Sequence, residues 1–240
     1  MSRLPLLRVS AALLLTALAP TAGDGADSPS QKRYRLELKT LQEQSSAQYG
    51  KNDLASAEQT AQNALELAER GFGPDSLETA DALRNLVVIW RAQNDTERVE
   101  PGLKRILAIR ERALDPNHPD VANALSNLGR HYFFRGLYAQ AEPLLLRALK
   151  IREDTLGPKD LSVASSLHDL ALLYKEEGRY AEAVPLMDRE VLLWEQAMDR
   201  DHPILETVLS TYADLLRKAG DAKKADAIEN RVERLRRARQ

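Results

Sequence analysis

The chain has no cysteine, which removes disulfides, thiol nucleophiles and zinc–thiolate sites together. It also leaves no residue for a lipid-modified anchor of the kind that needs one. Aromatic residues are few, at 5%, as expected where alanine and leucine do most of the packing. An excess of either charge is missing too: a net charge of −2 gives no general attraction to nucleic acid or membrane. No apolar run is long enough to span a bilayer. There is no HExxH, no GxSxG, no glycine-rich phosphate loop and no dinucleotide fingerprint. From these absences no cofactor, no metal and no catalytic residue is expected.

What is present is a repeat. Leu125, Leu128, Gly129 and Tyr132 fall at i, i+3, i+4 and i+7, one apolar stripe of a helix. After a turn at Arg135-Gly136-Leu137, the residues Ala141, Leu144, Leu145, Ala148 and Leu149 form a second stripe. Stepping by 42 residues returns the first stripe as Leu83, Leu86, Val87, Trp90, then as Leu167, Leu170, Ala171, Tyr174, and then as Leu209, Tyr212, Ala213, Leu216. The turn column reads Asn52, Asn94, Gly136, Gly178 and Gly220, the residues that tolerate left-handed backbone best. The next column reads Asp53, Asp95, Leu137, Arg179 and Asp221, of which the three aspartates can cap a helix. Four residues on lies a small-residue column, Ala57, Val99, Ala141, Ala183 and Ala225, where paired helices must approach closely.

These residues resemble the tetratricopeptide repeat. Its large-xx-Leu-Gly/Ala-xx-Tyr pattern, with a small residue twelve after the Gly/Ala, is met by Leu125, Leu128, Gly129, Tyr132 and Ala141. The usual period of that family is 34 residues; the period of 42 here is similar to the repeats of kinesin light chains and their bacterial relatives. The resemblance implies an all-α, right-handed α-solenoid of about five antiparallel helix pairs, with repeats near residues 31–72, 77–114, 119–156, 161–198 and 203–239. In the first repeat Gln44, Ser45 and Gln48 occupy family positions, so its leading helix is degenerate or packed differently.

Residues 1–23 read as a secretory signal: Arg3 and Arg8, a short apolar core from Ala11 to Ala19, then small residues. An uncleaved N-terminal membrane anchor is the alternative. A flexible linker is expected over residues 24–30, and the first helix from Gln31 to Tyr49. The second helix is expected to run from Leu54 to Arg70, with Ala57, Ala61, Ala64, Leu65 and Ala68 inward, and to stop at Gly71-Phe72-Gly73-Pro74. That loop recurs as Asp115-Pro116, Gly157-Pro158 and Asp199-Arg200, with His118-Pro119 and His202-Pro203 placing proline at a first helical position. Pro101, Pro143 and Pro185 fall six residues into successive second helices. Either each bends its helix, or the first turn of each second helix is irregular. At the end Ala225, Ile228, Val232 and Leu235 keep an inward stripe, while Arg231, Arg234, Arg236, Arg237 and Arg239 crowd the terminus. These are cations near a helix C-terminus or a basic handle for an acidic partner.

No catalytic constellation emerges. Ser165 and His168 share a helix face, but Asp169 lies about 100° further round and cannot orient the imidazole. His118 and His202 are two repeats apart and cannot share a metal. Asn94-Asp95-Thr96 matches a glycosylation sequon and also the helix-turn-helix corner, which is preferred.

The resemblance implies that the first helices line a concave groove for an extended peptide or a partner helix. Its groove positions map onto four columns: Arg84, Ser126, His168, Ser210; Asn85, Asn127, Asp169, Thr211; Val88, Arg130, Leu172, Asp214; and Arg91, Phe133, Lys175, Arg217. The candidate binding residues are Arg84, Asn85, Arg91, Asn127, Arg130, Phe133, His168 and Lys175. Asparagine can bond both backbone groups of a ligand, and the excess of cations over Asp169 suits an acidic ligand. Phe133 and Phe134 are the expected apolar contacts. The chain is therefore expected to be an exported, non-enzymatic protein- or peptide-binding scaffold, with a self-assembling structural protein as alternative and a hydrolase as remote alternative.

Overall fold

The computed structural model describes residues 28–198 and 202–237. The expected signal segment, linker residues 24–27, Asp199-Arg200 and Arg239 lie outside the described residues. The chain divides into two compact units, the first ending at Ala113 and the second beginning at Leu114.

The first unit holds α1 (Pro29–Gly50), α2 (Leu54–Phe72), α3 (Leu77–Ala92) and α4 (Thr96–Ala113). The second holds α5 (Pro119–Phe134), α6 (Tyr138–Leu156), α7 (Leu161–Glu176), α8 (Tyr180–Ala197), α9 (Pro203–Lys218) and α10 (Ala222–Arg237). No strand occurs among the described residues. Within each unit every helix packs on the next, and α1 also touches α3 as α5 touches α7. Each unit is thus a stack of antiparallel helix pairs, the all-α solenoid architecture expected of stripes that can be buried only against a neighbouring pair.

The turn column behaves as left-handed backbone demands. Asn52 and Asn94 both have φ 61°, and Gly136, Gly178 and Gly220 have φ 70°, 74° and 84°. Asp53, Asp95 and Asp221 accept the backbone N–H of Ser56, Arg98 and Lys224, while Leu137 and Arg179 make no side-chain cap. The small-residue column is fully enclosed, from Ala57 to Ala225. At Gly129 the two helices of a pair come so close that an added Cβ would lie 2.7 Å from Cδ2 of Leu145. In the preceding pair the roles are exchanged: Val87 stands in the Gly129 column, and Gly102 on α4 gives it room.

Some local expectations change. α1 starts at Pro29 rather than Gln31, because Ser28 and Gln31 cap each other reciprocally and Pro29 fits the first turn. Residues 28–30 therefore belong to a helix start and not to a linker. α2 continues through Gly71 and Phe72 and ends at Gly73, φ 94°. In α1, Ser45 occupies the Gly129 column and donates its hydroxyl to the Ala57 carbonyl at 2.9 Å, a polar substitute for close apolar packing. Pro101, Pro143 and Pro185 lie inside continuous helices, so the irregular first turn does not occur. The carbonyls they leave without a donor belong to Glu97, Ala139 and Ala181, all exposed, where water can satisfy them. The two His-Pro loops have a further use: Nδ1 of His118 and of His202 accepts the backbone N–H of Asp120 and of Ile204, so each histidine is an N-cap.

Polar struts join successive pairs. Glu58 on α2 accepts Nε1 of Trp90 at 3.2 Å and an ion pair from Arg98, whose guanidinium stacks 5.0 Å from the Trp90 ring. In the second unit Glu142 accepts the Tyr174 hydroxyl at 2.9 Å and Arg179 at 3.0 Å, with Arg179 4.1 Å over the Tyr174 ring. Asp188, Tyr212 and Lys224 repeat the arrangement. Burial and the carboxylate acceptor push the Tyr174 phenol up to about 12. On the second helices, Arg105 pairs with Glu69 and the Pro74 carbonyl, Arg189 with Glu153 and the Pro158 carbonyl, and Arg231 with Glu195. In all three pairs the arginine lies 36 residues after its glutamate.

Candidate ligand-binding faces

The apolar stripes of the first helices face their partners, so the opposite side of each is what a ligand can meet. In the first unit that side is on α3. Arg84 is half-buried and lies 3.9 Å from Asp81, and its Nε is enclosed without a hydrogen-bond partner. Asn85 is half-buried and Arg91 exposed.

The second unit carries the other five candidate residues, on α5 and α7. Arg130 donates to Oδ1 of Asn127 at 3.0 Å and its Nε lies 3.8 Å from Asp169, which ties α5 to α7. Lys175 reaches Asp214 on α9 at 2.6 Å. Phe133 is half-buried against Tyr138, while its neighbour Phe134 is 81% exposed. His168 turns into the α7–α8 interface, where Nδ1 lies 2.9 Å from Glu190, itself 2% exposed and also bonded by the Trp194 indole. Burial opposes charge on His168, but the Glu190 hydrogen bond and ion pair outweigh it and raise the imidazole pKa. Burial moves the Asp169 carboxyl the other way, raising its pKa, and Arg130 offsets this only in part.

Two expectations are revised by these contacts, and at the C-terminal helix one of the two accounts is favoured. Ser126, placed in a groove column, is buried and accepts a hydrogen bond from Arg152 on α6 at 2.9 Å. The cations Arg84, Arg130 and Lys175 each have a carboxylate of the chain itself within ion-pair distance, so they do not form an open basic surface. At the C-terminal helix, Arg231, Arg236 and Arg237 pair with Glu195, Glu206 and Glu233, which favours the structural account of that cluster. The histidine's carboxylate partner is Glu190 rather than Asp169, and Ser165 points to solvent. No group of three or more His, Asp or Glu able to hold a metal occurs among the described residues.

Sequence reasoning missed Arg152, Glu190 and the strut carboxylates. One signal was available: Arg110 and Arg152 recur 42 residues apart, each directly after a buried isoleucine, Ile109 and Ile151. A charge repeated beside an inward stripe marks a buried polar contact.

Fold and faces together define a helix-pair repeat protein of the kind that serves as a protein-interaction scaffold. Two tetratricopeptide repeat models match, one over residues 100–154, 120–191 and 162–238 and the other over residues 79–120, and the chain belongs to that family. No curated protein sequence matches it. Among solved structures it is similar to the nearly identical TPR-like repeats of a kinesin light chain from Podosopora anserina, with a TM-score of 0.73 and 20% identity, covering 88% of this chain and 98% of that one. BtubC (BKLC) from P. vanneervenii gives 0.74 and 18%, covering 88% and 92%. The pilF protein of Pseudomonas aeruginosa gives 0.61 and 20%, covering 84% and 78%. At these identities the likeness is one of fold.

Proposed function

We propose that this chain is an exported, non-enzymatic scaffold that holds a protein or an extended peptide on the first-helix faces of its repeats. The observation that carries this reading is the α5–α7 face. There Asn127, Arg130 and Lys175 stand on the side of each helix away from its apolar stripe, fixed in place by hydrogen bonds and ion pairs. A polar face held in one conformation by its own contacts costs little to order when a chain docks on it. Phe134 supplies an exposed apolar contact beside it. Among the described residues no helix is long and apolar enough to cross a membrane. Export rests on the N-terminal pattern of Arg3, Arg8 and the apolar core.

A peptide array read with the chain and with Asn127→Ala and Arg130→Ala tests the face. Weakened binding in either variant is expected, and unchanged binding in both removes the assignment. Sequencing the N-terminus of the exported protein tests the signal; a mature chain still beginning at Met1 defeats cleavage. A second reading, self-assembly, is favoured by exposed large apolar side chains, Phe134 foremost, with Leu36 and Leu192 also exposed. Analytical ultracentrifugation separates the two, since a monomer at working concentration disfavours assembly.

A further inference from the structure

Three corners of the second unit lie along one edge of its stack: α5–α6 at Gly136, α7–α8 at Gly178 and α9–α10 at Gly220. Between the first two corners the space is filled by the Tyr174 ring, with Arg179 4.1 Å over it and Glu142 on its hydroxyl. One step of 42 residues further, Glu142 is replaced by Val184, Tyr174 by Leu216 and Arg179 by Asp221. The polar strut of that step stands elsewhere, on Asp188, Tyr212 and Lys224. The shorter side chains leave an open cavity of about 420 Å³ between the second and third corners, walled by Tyr180, Ala181, Val184, Leu216, Ala219 and Asp221. Arg179 also borders it, but its charge is matched by Glu142, Glu177 and Glu182, so Asp221 makes one side of the rim acidic.

The same edge carries a side chain of the kind that such a cavity fits. Phe134, at the α5–α6 corner, is 81% exposed and packs edge-on against Phe133, which in turn meets Tyr138. Arg135 beside it is exposed. Phe134 cannot fill the cavity of its own chain, because the α7–α8 corner stands between them. A two-fold axis through the edge near that corner exchanges the two features, carrying Phe134 of one copy to the cavity of the other and the reverse, as an isologous contact requires. The same operation sets Arg135 toward Asp221, opposite in charge, and Tyr138 toward Tyr180, in a chain with few aromatic residues to spend on its surface.

We propose that two copies of this chain associate edge to edge about a two-fold axis, each seating Phe134 in the cavity between the α7–α8 and α9–α10 corners of the other. This names the seat that the self-assembly reading leaves open, and it rests on that reading. The ring enters a place that Tyr174 fills from within at the preceding step, so the cavity has the width of a helix-pair step and apolar walls to receive it. The corner edge is not the first-helix face. Asn127, Arg130 and Lys175 stay uncovered in the dimer, and a paired scaffold keeps both of its polar faces.

Sedimentation velocity of the purified full-length chain, run across a hundredfold range of concentration, should show a monomer–dimer equilibrium. Phe134→Ala removes the ring and Ala181→Trp plugs the cavity; each should raise the dimer dissociation constant at least tenfold. Both positions are exposed, so neither change disturbs the core. The decisive sample is an equimolar mixture of the two variants. The Ala181→Trp copy still offers Phe134 and the Phe134→Ala copy still offers an open cavity, so the mixture recovers one of the two contacts and should associate more tightly than either variant alone. Dimers lost in both variants and not recovered in the mixture would overturn the pairing of ring with cavity. Dimers formed by both variants as readily as by the parent would overturn this seat and leave self-assembly standing. A monomer throughout the range would remove both.

Discussion

Gly129→Ala sets two known effects against each other at one atom. Replacing a helical glycine by alanine ordinarily stabilises by about 1 kcal/mol. Here the new methyl would sit 2.7 Å from Cδ2 and 2.8 Å from Cγ of Leu145, well inside contact distance. Leu145 is 2% exposed and cannot swing away into solvent. Overpacking of this kind costs roughly 1–3 kcal/mol, so the net expectation is destabilisation of about 1 kcal/mol. Leu145→Ala alone should cost roughly 2–5 kcal/mol through the cavity it leaves. In the double variant the methyl at residue 129 has space, so the double should cost less than the two singles combined by about 1–2 kcal/mol. Urea unfolding of all four proteins closes the cycle. A Gly129→Ala protein more stable than the parent, or effects that add within about 0.5 kcal/mol, would show that the close approach of α5 and α6 is not what Gly129 is for.

Gly136→Ala forces a Cβ into φ 70° and should destabilise by about 1–2 kcal/mol, read from the urea midpoint, whereas Asn94→Gly at φ 61° should be close to neutral. Tyr174→Phe removes the hydroxyl from the Glu142–Arg179 strut and should cost roughly 1–2 kcal/mol in the same assay. In a spectrophotometric titration at 295 nm, the Tyr174 phenol should ionise near 12, and Glu142→Gln should bring it down. His168 has a raised folded-state pKa, so the stability it lends is complete below its ordinary value of 6.5 and fades as pH rises through the folded value. Thermal melts across that window should show a decline that Glu190→Gln abolishes; an unchanged decline in the variant would disprove the pairing.

The fold was legible because a strict period exposes register. Once the 42-residue step is seen, each column can be asked for one property, and the turn, cap and small-residue columns all had it. The polar contacts were not legible for the opposite reason. Glu58, Glu142 and Glu190 meet partners 22 to 40 residues away on other helices, and nothing local marks a carboxylate as buried. Counting cations on the first helices suggested an acidic ligand for the whole surface, because spacing on one helix is silent about the carboxylates on the next. Arg130 and Lys175 each lean toward such a neighbour. Ser126 and His168 were placed outward by column analogy, but each has a charged partner on a second helix that draws it inward.

The arginines that reach back 36 residues to a glutamate act as a measuring rod for the chain. A single residue inserted within one of the intervening helices would turn one end of that rod about 100° away from the other. A whole 42-residue block could be added or lost while every remaining rod still fitted. Whole-block changes are thus the ones that keep every such contact, so variation in its reach is expected in increments of one helix pair.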